Sequence, residues 1–301
     1  MNEPNEQEPA DDAETFGHIP VMVDTVMEFL QPERGGPYWD LTLGGGGHLG
    51  AWLQRSPDEH AFGLDGDPGA LVRAGHLPAT LVHADLSRIA EVASEHNWPA
   101  PNGILMDLGL SSPQVDDASR GFSFRNDGPL DMRMDPTRGD TAAEWLIDVE
   151  QDELTRVIRE LGEERFAGRI ARTIKESLPI DTTDQLTRAI LKAVGKRPRR
   201  HHPARRTFQG IRMAVNQELE KIEAGLLASM DLLAPGGRLV VISFHSGEDR
   251  VVKHTFRTAS RREGATMKLL TKRPQRCTDL EAEQNPRARS ALVRAIERIA
   301  V

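Results

Sequence analysis

The chain has 301 residues, 38% of them apolar, enough for one large domain with a buried core or for a domain carrying a smaller one. No stretch approaches the roughly 18 to 20 consecutive apolar residues that cross a bilayer, and the acidic start lacks the basic-then-apolar order of a secretory signal, so no membrane association and a cytoplasmic location are expected. The single cysteine, Cys277, excludes an intramolecular disulfide and argues against a thiolate zinc site.

A net charge of −8 runs against nucleic-acid binding until its distribution is considered. Glu3, Glu6, Glu8, Asp11, Asp12 and Glu14 place six negative charges ahead of any basic residue, so residues 1–17 are expected to form a disordered acidic tail, and the rest carries about −2. Positive charge is clustered in Lys196, Arg197, Arg199, Arg200, Arg205 and Arg206, and again in Arg250, Lys253, Arg257, Arg261 and Arg262. Such runs are usually solvated faces and become informative only beside a catalytic site.

Val23, Val26, Met27 and Leu30 have helical spacing and are followed by Pro32, which predicts a short leading helix. Tyr38 to Leu43 reads as a strand, and Gly44 to Gly47 as a tight loop into a helix. Three further apolar runs follow, leading into Asp65, Asp85 and Asp107, with helix-length segments between them. That alternation predicts a parallel sheet with helices on both faces and a ligand at the carboxyl ends of the strands. From Ser111 the sheet pattern stops for about 90 residues. Leu154, Val157, Ile158 and Leu161, then Phe166, Ile170 and Ile174, then Leu186, Ile190 and Val194 follow amphipathic spacing, as in an inserted helical subdomain. A long helix carrying Ile211, Val215, Leu219, Ile222, Leu226 and Met230 on one face, a strand over Arg238 to Ser243, a helix near 249–260, a short strand near 267–271 and a last run to Ile299 complete the open sheet.

The glycine loop lets backbone amides approach a ligand, and Asp65 lies about 20 residues further on, where a carboxylate accepts both ribose hydroxyls of an adenosine. Together they indicate either a dinucleotide or S-adenosylmethionine. Dinucleotide loops typically read G-x-G-x-x-G to make room for a pyrophosphate, whereas four contiguous glycines ending in His48 favour the methyl donor. The alternative for Asp65 is a turn cap with Asp67 and Pro68. Asp85 would meet the adenine amine and Leu86 its ring face, or either simply ends a strand. Asp107 to Gln114 forms a polar turn where the transferred methyl should lie.

At these positions the chain resembles the bacterial small-subunit ribosomal RNA cytosine-N4 methyltransferase family, known as RsmH or MraW. The resemblance rests on His18, Pro20 and Val21; on Gly46, Gly47 and His48; on Leu108 to Gln114; on Arg120 to Phe124; on Asp127 to Asp135; and on Gly162 to Phe166. Further carriers are Pro203 to Gln209, Ile242 to Ser246 with Glu248 and Asp249, and Asn285 to Ser290. It implies an α/β fold, a Rossmann-like class I methyltransferase sheet over 18–114 and 207–301, interrupted by a helical substrate-recognition domain over 115–206. It implies S-adenosyl-L-methionine as cofactor, held by Gly46, Gly47, His48, Asp65, Leu86, Asp107 and Gln114, and methylation of the N4 amine of a cytidine in the decoding region of 16S rRNA in the small ribosomal subunit. The chain departs from the family at Leu86, where an aromatic is common, and at Gly247, where a bulkier residue is usual.

Cytosine N4 is a poor nucleophile because its lone pair is delocalised into the ring, so Asp107 is a candidate catalytic group that accepts the amine hydrogens; its alternative is to hold the cofactor. Phe122 and Phe124 are candidate stacking platforms for an extruded base, or else core residues of the insertion. Arg133, Arg205, Arg206 and the Lys196 to Arg200 cluster are the candidate phosphate contacts. His245, Ser246, Glu248 and Asp249 superficially suggest a hydrolase, but they adjoin along one strand end and no G-x-S-x-G elbow is present. No metal is expected, and His201 and His202 are assigned to the basic surface. A homodimer is compatible with the sequence. The competing readings are an NAD-dependent dehydrogenase, which lacks a hydride-handling site here, and an RNA-binding assembly protein with a vestigial cofactor pocket.

Overall fold

The computed structural model describes residues 20–195 and 202–300; the acidic tail, His18, His201 and the Lys196 to Arg200 cluster fall outside them. Helix α1 (Val23–Leu30) precedes β1 (Tyr38–Asp40), α2 (Gly47–Arg55), β2 (Ala61–Asp65), α3 (Pro68–Ala74), β3 (Thr80–His83), α4 (Ile89–Glu95) and β4 (Gly103–Asp107). The chain then leaves the sheet through α5 (Ser112–Asp116), α6 (Ala142–Asp148), α7 (Gln151–Glu160), α8 (Ala167–Glu176), α9 (Thr183–Val194) and α10 (Ala204–Asn216). It returns by α11 (Glu218–Leu232), β5 (Arg238–Ser243), α12 (Ser246–Arg261), β6 (Met267–Leu269), α13 (Asp279–Gln284) and β7 (Leu292–Arg298).

The strands form one sheet in the order β3-β2-β1-β4-β5-β7-β6, parallel from β3 to β5, with β7 antiparallel to both of its neighbours. This open sheet, parallel as far as β5 and flanked by helices, is the architecture that the resemblance implies. Both faces of β1, β2, β4 and β5 are buried, and alternate residues along them face opposite cores. Trp39, Ile104, Met106, Leu239 and Val241 face one core with Leu226 and Phe256. Tyr38, Leu105, Val240, Ile242 and Val293 face the other with Val26, Leu30 and Trp52. Burial on both sides is why these strands read as unbroken apolar runs.

The insertion has a core of its own, built from Phe122, Leu130, Met132, Leu146, Ile158, Ile170, Ile174, Leu186 and Ile190, and α10 contributes Phe208 and Ile211 to it. Local chemistry starts several of these helices: Thr141 with Glu144, and Thr182 with Gln185, form reciprocal capping boxes on α6 and α9. The single long helix expected around residues 211–230 is two. Gln217 breaks it with a left-handed backbone (φ 52°), while the Asn216 amide donates to the carbonyls of Met132 and Arg212 and accepts the Met134 N–H. Residues 215–218 are thereby turned toward the strand ends, and the insertion is tied to the sheet. Among the described residues no helix is long and apolar enough to cross a membrane.

Candidate functional site

A cavity of about 640 Å³ opens at the carboxyl ends of β1, β2, β3 and β4, where α10, α11 and the insertion close over them. Gly47, His48, Asp65, Leu86, Asp107 and Gln114 all line it. Gly46 does not: it sits at the start of α2 with φ 76°, and a Cβ there would lie 2.6 Å from the Leu77 side chain. Its part is conformational, turning the loop so that Gly44 and Gly45 face the cavity. A Cβ on Gly45 or Gly66 would meet nothing within 4 Å, so both positions border open space.

Asp65 is the organising acceptor of the loop. Its two carboxylate oxygens take the N–H groups of Gly44 and Asp67, each at 2.8 Å. Burial raises its pKa to about 6 despite these hydrogen bonds, and burial likewise pushes the neighbouring Asp40 up to about 7. Asp107, at the end of β4, is pushed well above the usual carboxylate range by burial and then by the charges of Asp40 and Glu248. Its Oδ1 is buried and has no hydrogen-bond partner. His48 Nε2 donates to the Val21 carbonyl at 2.8 Å, which leaves Nδ1 turned to Asp107 Oδ2 at 3.7 Å.

These raised acids make a testable pH dependence. Asp40 and Asp65 keep protons in the fold that they release on unfolding once the pH exceeds about 4, so the native state binds the extra protons and stability falls as pH rises from about 4 through about 7. The ligand-free protein is therefore expected to melt at higher temperature at pH 5 than at pH 7.5, with Asp40→Asn flattening the difference. A wild-type melting temperature that climbs over this interval contradicts the assignment.

Other expected groups are occupied. Gln114 caps its own helix by accepting the Ser111 N–H at 2.9 Å, and its amide reaches Asp67 at 3.3 Å. Asp85 holds Ser87 and a salt bridge to Lys221 at 2.8 Å, so the adenine amine would compete with a lysine for it. The Arg133 guanidinium is clamped on Asp131 at 2.7 Å and on the Gly139 carbonyl, and so is not a free phosphate contact. Phe122 lies in the insertion core, and Phe124 is stacked on His202 at 4.6 Å and edge-on to Phe208. Neither is presented as a platform for a base.

Sequence reasoning missed two networks. Asp67 joins three elements: it caps α3 through Gly69 N–H, receives Gln114, and pairs with Arg120 of the insertion at 2.9 Å. Arg120 in turn donates to the carbonyls of Arg133 and Met134 on the cavity wall. The second network lies behind Phe244, which lines the cavity. Glu248 Oε2 accepts the Phe244 N–H at 2.7 Å, and His245 Nε2 lies 3.0 Å from Glu248 Oε1. Burial opposes charge on Glu248, but His245, Arg212 and the Phe244 N–H outweigh it and hold its pKa below the usual range. The only sequence signal was the i, i+3 spacing of His245 and Glu248 at a helix start.

Ligand atoms of Glu218, His245 and Glu248 lie within 4.8 Å of one another, a grouping that could suggest a metal centre. The protonation pattern argues otherwise. His245 Nδ1 accepts the N–H groups of Gly247 and Glu248, so Nε2 carries the ring proton, and both oxygens of Glu218 are held by Arg212 at 2.7 Å. The trio is held together with Arg212 as a charge network.

The chain matches the family model described as the MraW methylase family over residues 15–299. The ribosomal RNA small subunit methyltransferase H of Symbiobacterium thermophilum is 45% identical over 309 residues, covering 94% of this chain and 97% of that one. Its namesake in Methylococcus capsulatus is 46% identical over 298 residues, covering 92% and 99%. Among solved structures, an rRNA methylase from Streptococcus thermophilus aligns over 94% of this chain and 99% of that one at 9% identity and a TM-score of 0.43.

Proposed function

The chain belongs to the MraW methylase family, and from that premise we propose that it is an S-adenosylmethionine-dependent methyltransferase of small-subunit ribosomal RNA, acting on the N4 amine of a cytidine in the decoding region, in the cytoplasm. The observation that carries the reading is the pairing, within one cavity, of a loop-bound carboxylate at Asp65 with a buried, unpartnered carboxylate oxygen at Asp107. The fit to the cofactor is chemical as well as spatial. Asp65 keeps acceptor capacity for ribose hydroxyls beyond its two backbone partners, Gly44, Gly45 and Gly66 leave room for close approach, and the raised acids favour a cationic ligand.

When bound, S-adenosylmethionine supplies an electrophilic methyl group on a sulfonium. Asp107, buried and raised by its acidic neighbours, would be favoured in its ionised form by a cationic group bound next to it. The carboxylate then accepts a hydrogen from the incoming amine, which localises the nitrogen lone pair and offsets the positive charge that develops there. His48, fixed on the Val21 carbonyl, limits where the Asp107 carboxylate can swing. Residues 115–206 form the substrate-recognition lobe in this reading, and the cavity wall made by Arg133 and Met134 is its contribution to the site.

The test is transfer of labelled methyl to undermethylated small subunits and to their extracted RNA, followed by digestion and identification of the nucleoside. N4-methylcytidine is the expected product, and label in a different nucleoside replaces the proposed acceptor. Asp107→Asn is expected to lower kcat by about 100-fold, a loss within the typical range for one acid–base or charge-stabilising group, with cofactor affinity changed much less. An Asp107→Asn protein of normal kcat would leave Asp107 with no part in the transfer step.

A further inference from the structure

Helix α12 carries a row of basic residues on its exposed side. Arg250, His254, Arg257 and Arg261 recur at i, i+4, i+7 and i+11 and are all exposed, with Arg262 just beyond the helix end. The row is about 16 Å long at ~1.5 Å per residue. Elsewhere arginines are commonly taken up by carboxylates, as Arg156, Arg212, Arg238 and Arg294 are. Among the described residues no carboxylate lies within 4.0 Å of Arg257, Arg261 or Arg262, and Arg250 has only a 3.7 Å contact to Glu163. A hollow of about 420 Å³ is lined entirely by His254, Arg257, Thr258, Arg261 and Arg262, without an acidic group.

This row does not stand alone. At its start, Ser246 Oγ donates to Glu163 of the insertion. The adjoining Gly162 packs against the backbone of Arg206, whose exposed side chain follows that of Arg205 at the beginning of α10. Arg165 of the same loop and Arg169 of α8, both exposed, lie over the Phe166 ring at 4.6 and 5.2 Å. The cationic surface thus crosses from the insertion to α12 beside the 244–247 turn, and Phe244 of that turn lines the cavity. Isolated positive charges on a chain of net charge −8 are unremarkable, but guanidinium groups without close carboxylates, gathered along one helix whose start adjoins the site through Phe244, are suited to successive phosphates.

We propose that this band, and its α12 row in particular, binds the phosphate backbone of the RNA that flanks the target nucleotide. The inference rests on the ribosomal RNA reading given above. It assigns the row to affinity and register, with no part in methyl transfer: phosphate contacts position the strand, and the pocket handles the base.

The test uses the full chain with Arg257, Arg261 and Arg262 all changed to Gln, and Arg257→Glu as a second, single-site variant. Binding to undermethylated small subunits and to extracted small-subunit RNA is measured across a salt series, beside S-adenosylmethionine affinity and steady-state transfer. The triple variant is expected to keep cofactor affinity and kcat, to raise KM for RNA at least tenfold, and to flatten the log-affinity against log-salt slope by about 2, from three lost contacts at ~0.7 each. Arg257→Glu is expected to raise KM in the same direction. Wild-type protein that neither binds RNA nor transfers methyl to it overturns the functional reading and the phosphate row together. Wild-type transfer with an unchanged slope and KM in both variants overturns the phosphate row alone. Weakened binding to assembled subunits with unchanged binding to extracted RNA gives the row to a ribosomal protein and likewise overturns it.

Discussion

Asp65→Ala protein is expected to bind S-adenosylmethionine at least ~100-fold more weakly than wild type in a calorimetric titration, because two charge-assisted hydrogen bonds at about 1.5 kcal/mol or more each are lost. The side chain does two things at once. It lines the cavity with a carboxylate that the proposed reading gives to the cofactor's ribose, and it holds the glycine loop and the start of α3 through the N–H groups of Gly44 and Asp67. Asp65→Asn separates these, since its carbonyl oxygen can keep one backbone N–H while the charge is gone, and it is expected to fall between the two. Affinity in the wild type should also weaken as pH drops below about 6, where the free carboxyl takes up a proton that the ligand must displace. An Asp65→Ala protein with wild-type affinity would move the ribose site elsewhere along the strand ends.

The second large effect is expected at Glu248, which is fully buried behind the cavity wall formed by Phe244. Removing its carboxylate in Glu248→Ala leaves the Phe244 N–H without its acceptor and takes a negative neighbour from both His245 and Arg212. Breaking such a buried charge network costs about 3 to 5 kcal/mol, a fall in melting temperature of about 10 °C for a chain of this size. Glu248→Gln keeps the shape and one acceptor, so it should lose less stability. It should still move activity, because Glu248 is one of the charges that raise Asp107. The acidic limb of its rate profile is expected to shift to lower pH, whereas a role confined to packing would leave that limb in place.

Much of the sheet was legible because its strands are buried on both faces and the segments between them are amphipathic. The carboxylates at the ends of β2 and β4 could be picked out for the same reason: a charged residue closing an apolar run has little reason to be there except a ligand or a cap. The break at Gln217 was not legible, since Ile211 to Met230 keeps helical spacing straight through it. The cause is distant in sequence, in the hydrogen bonds from Asn216 to Met132 and Met134. The aromatic residues misled for a similar reason. Phe124 looks available in sequence, but its partners His202 and Phe208 lie about 80 residues away. Asp67 figured in the sequence only as a companion of Asp65 in a possible turn; that it caps α3 itself and also receives Arg120 depends on how the insertion folds back over the cavity.

The insertion also sets a timetable for the chain's synthesis. Strands β4 and β5 are hydrogen-bonded neighbours, with Gly103 opposite Arg238, yet about 135 residues must be made between them. At roughly 5 to 20 residues per second the ribosome needs on the order of 10 s to supply β5 after β4 has emerged. For that interval β4 is an unprotected edge, flanked on one side by β1 and open on the other, with an apolar Ile104-Leu105-Met106 run. The insertion, with a core of its own, can fold within the same interval, and its collapse would bring the two ends of the gap close enough for β5 to dock before another chain does.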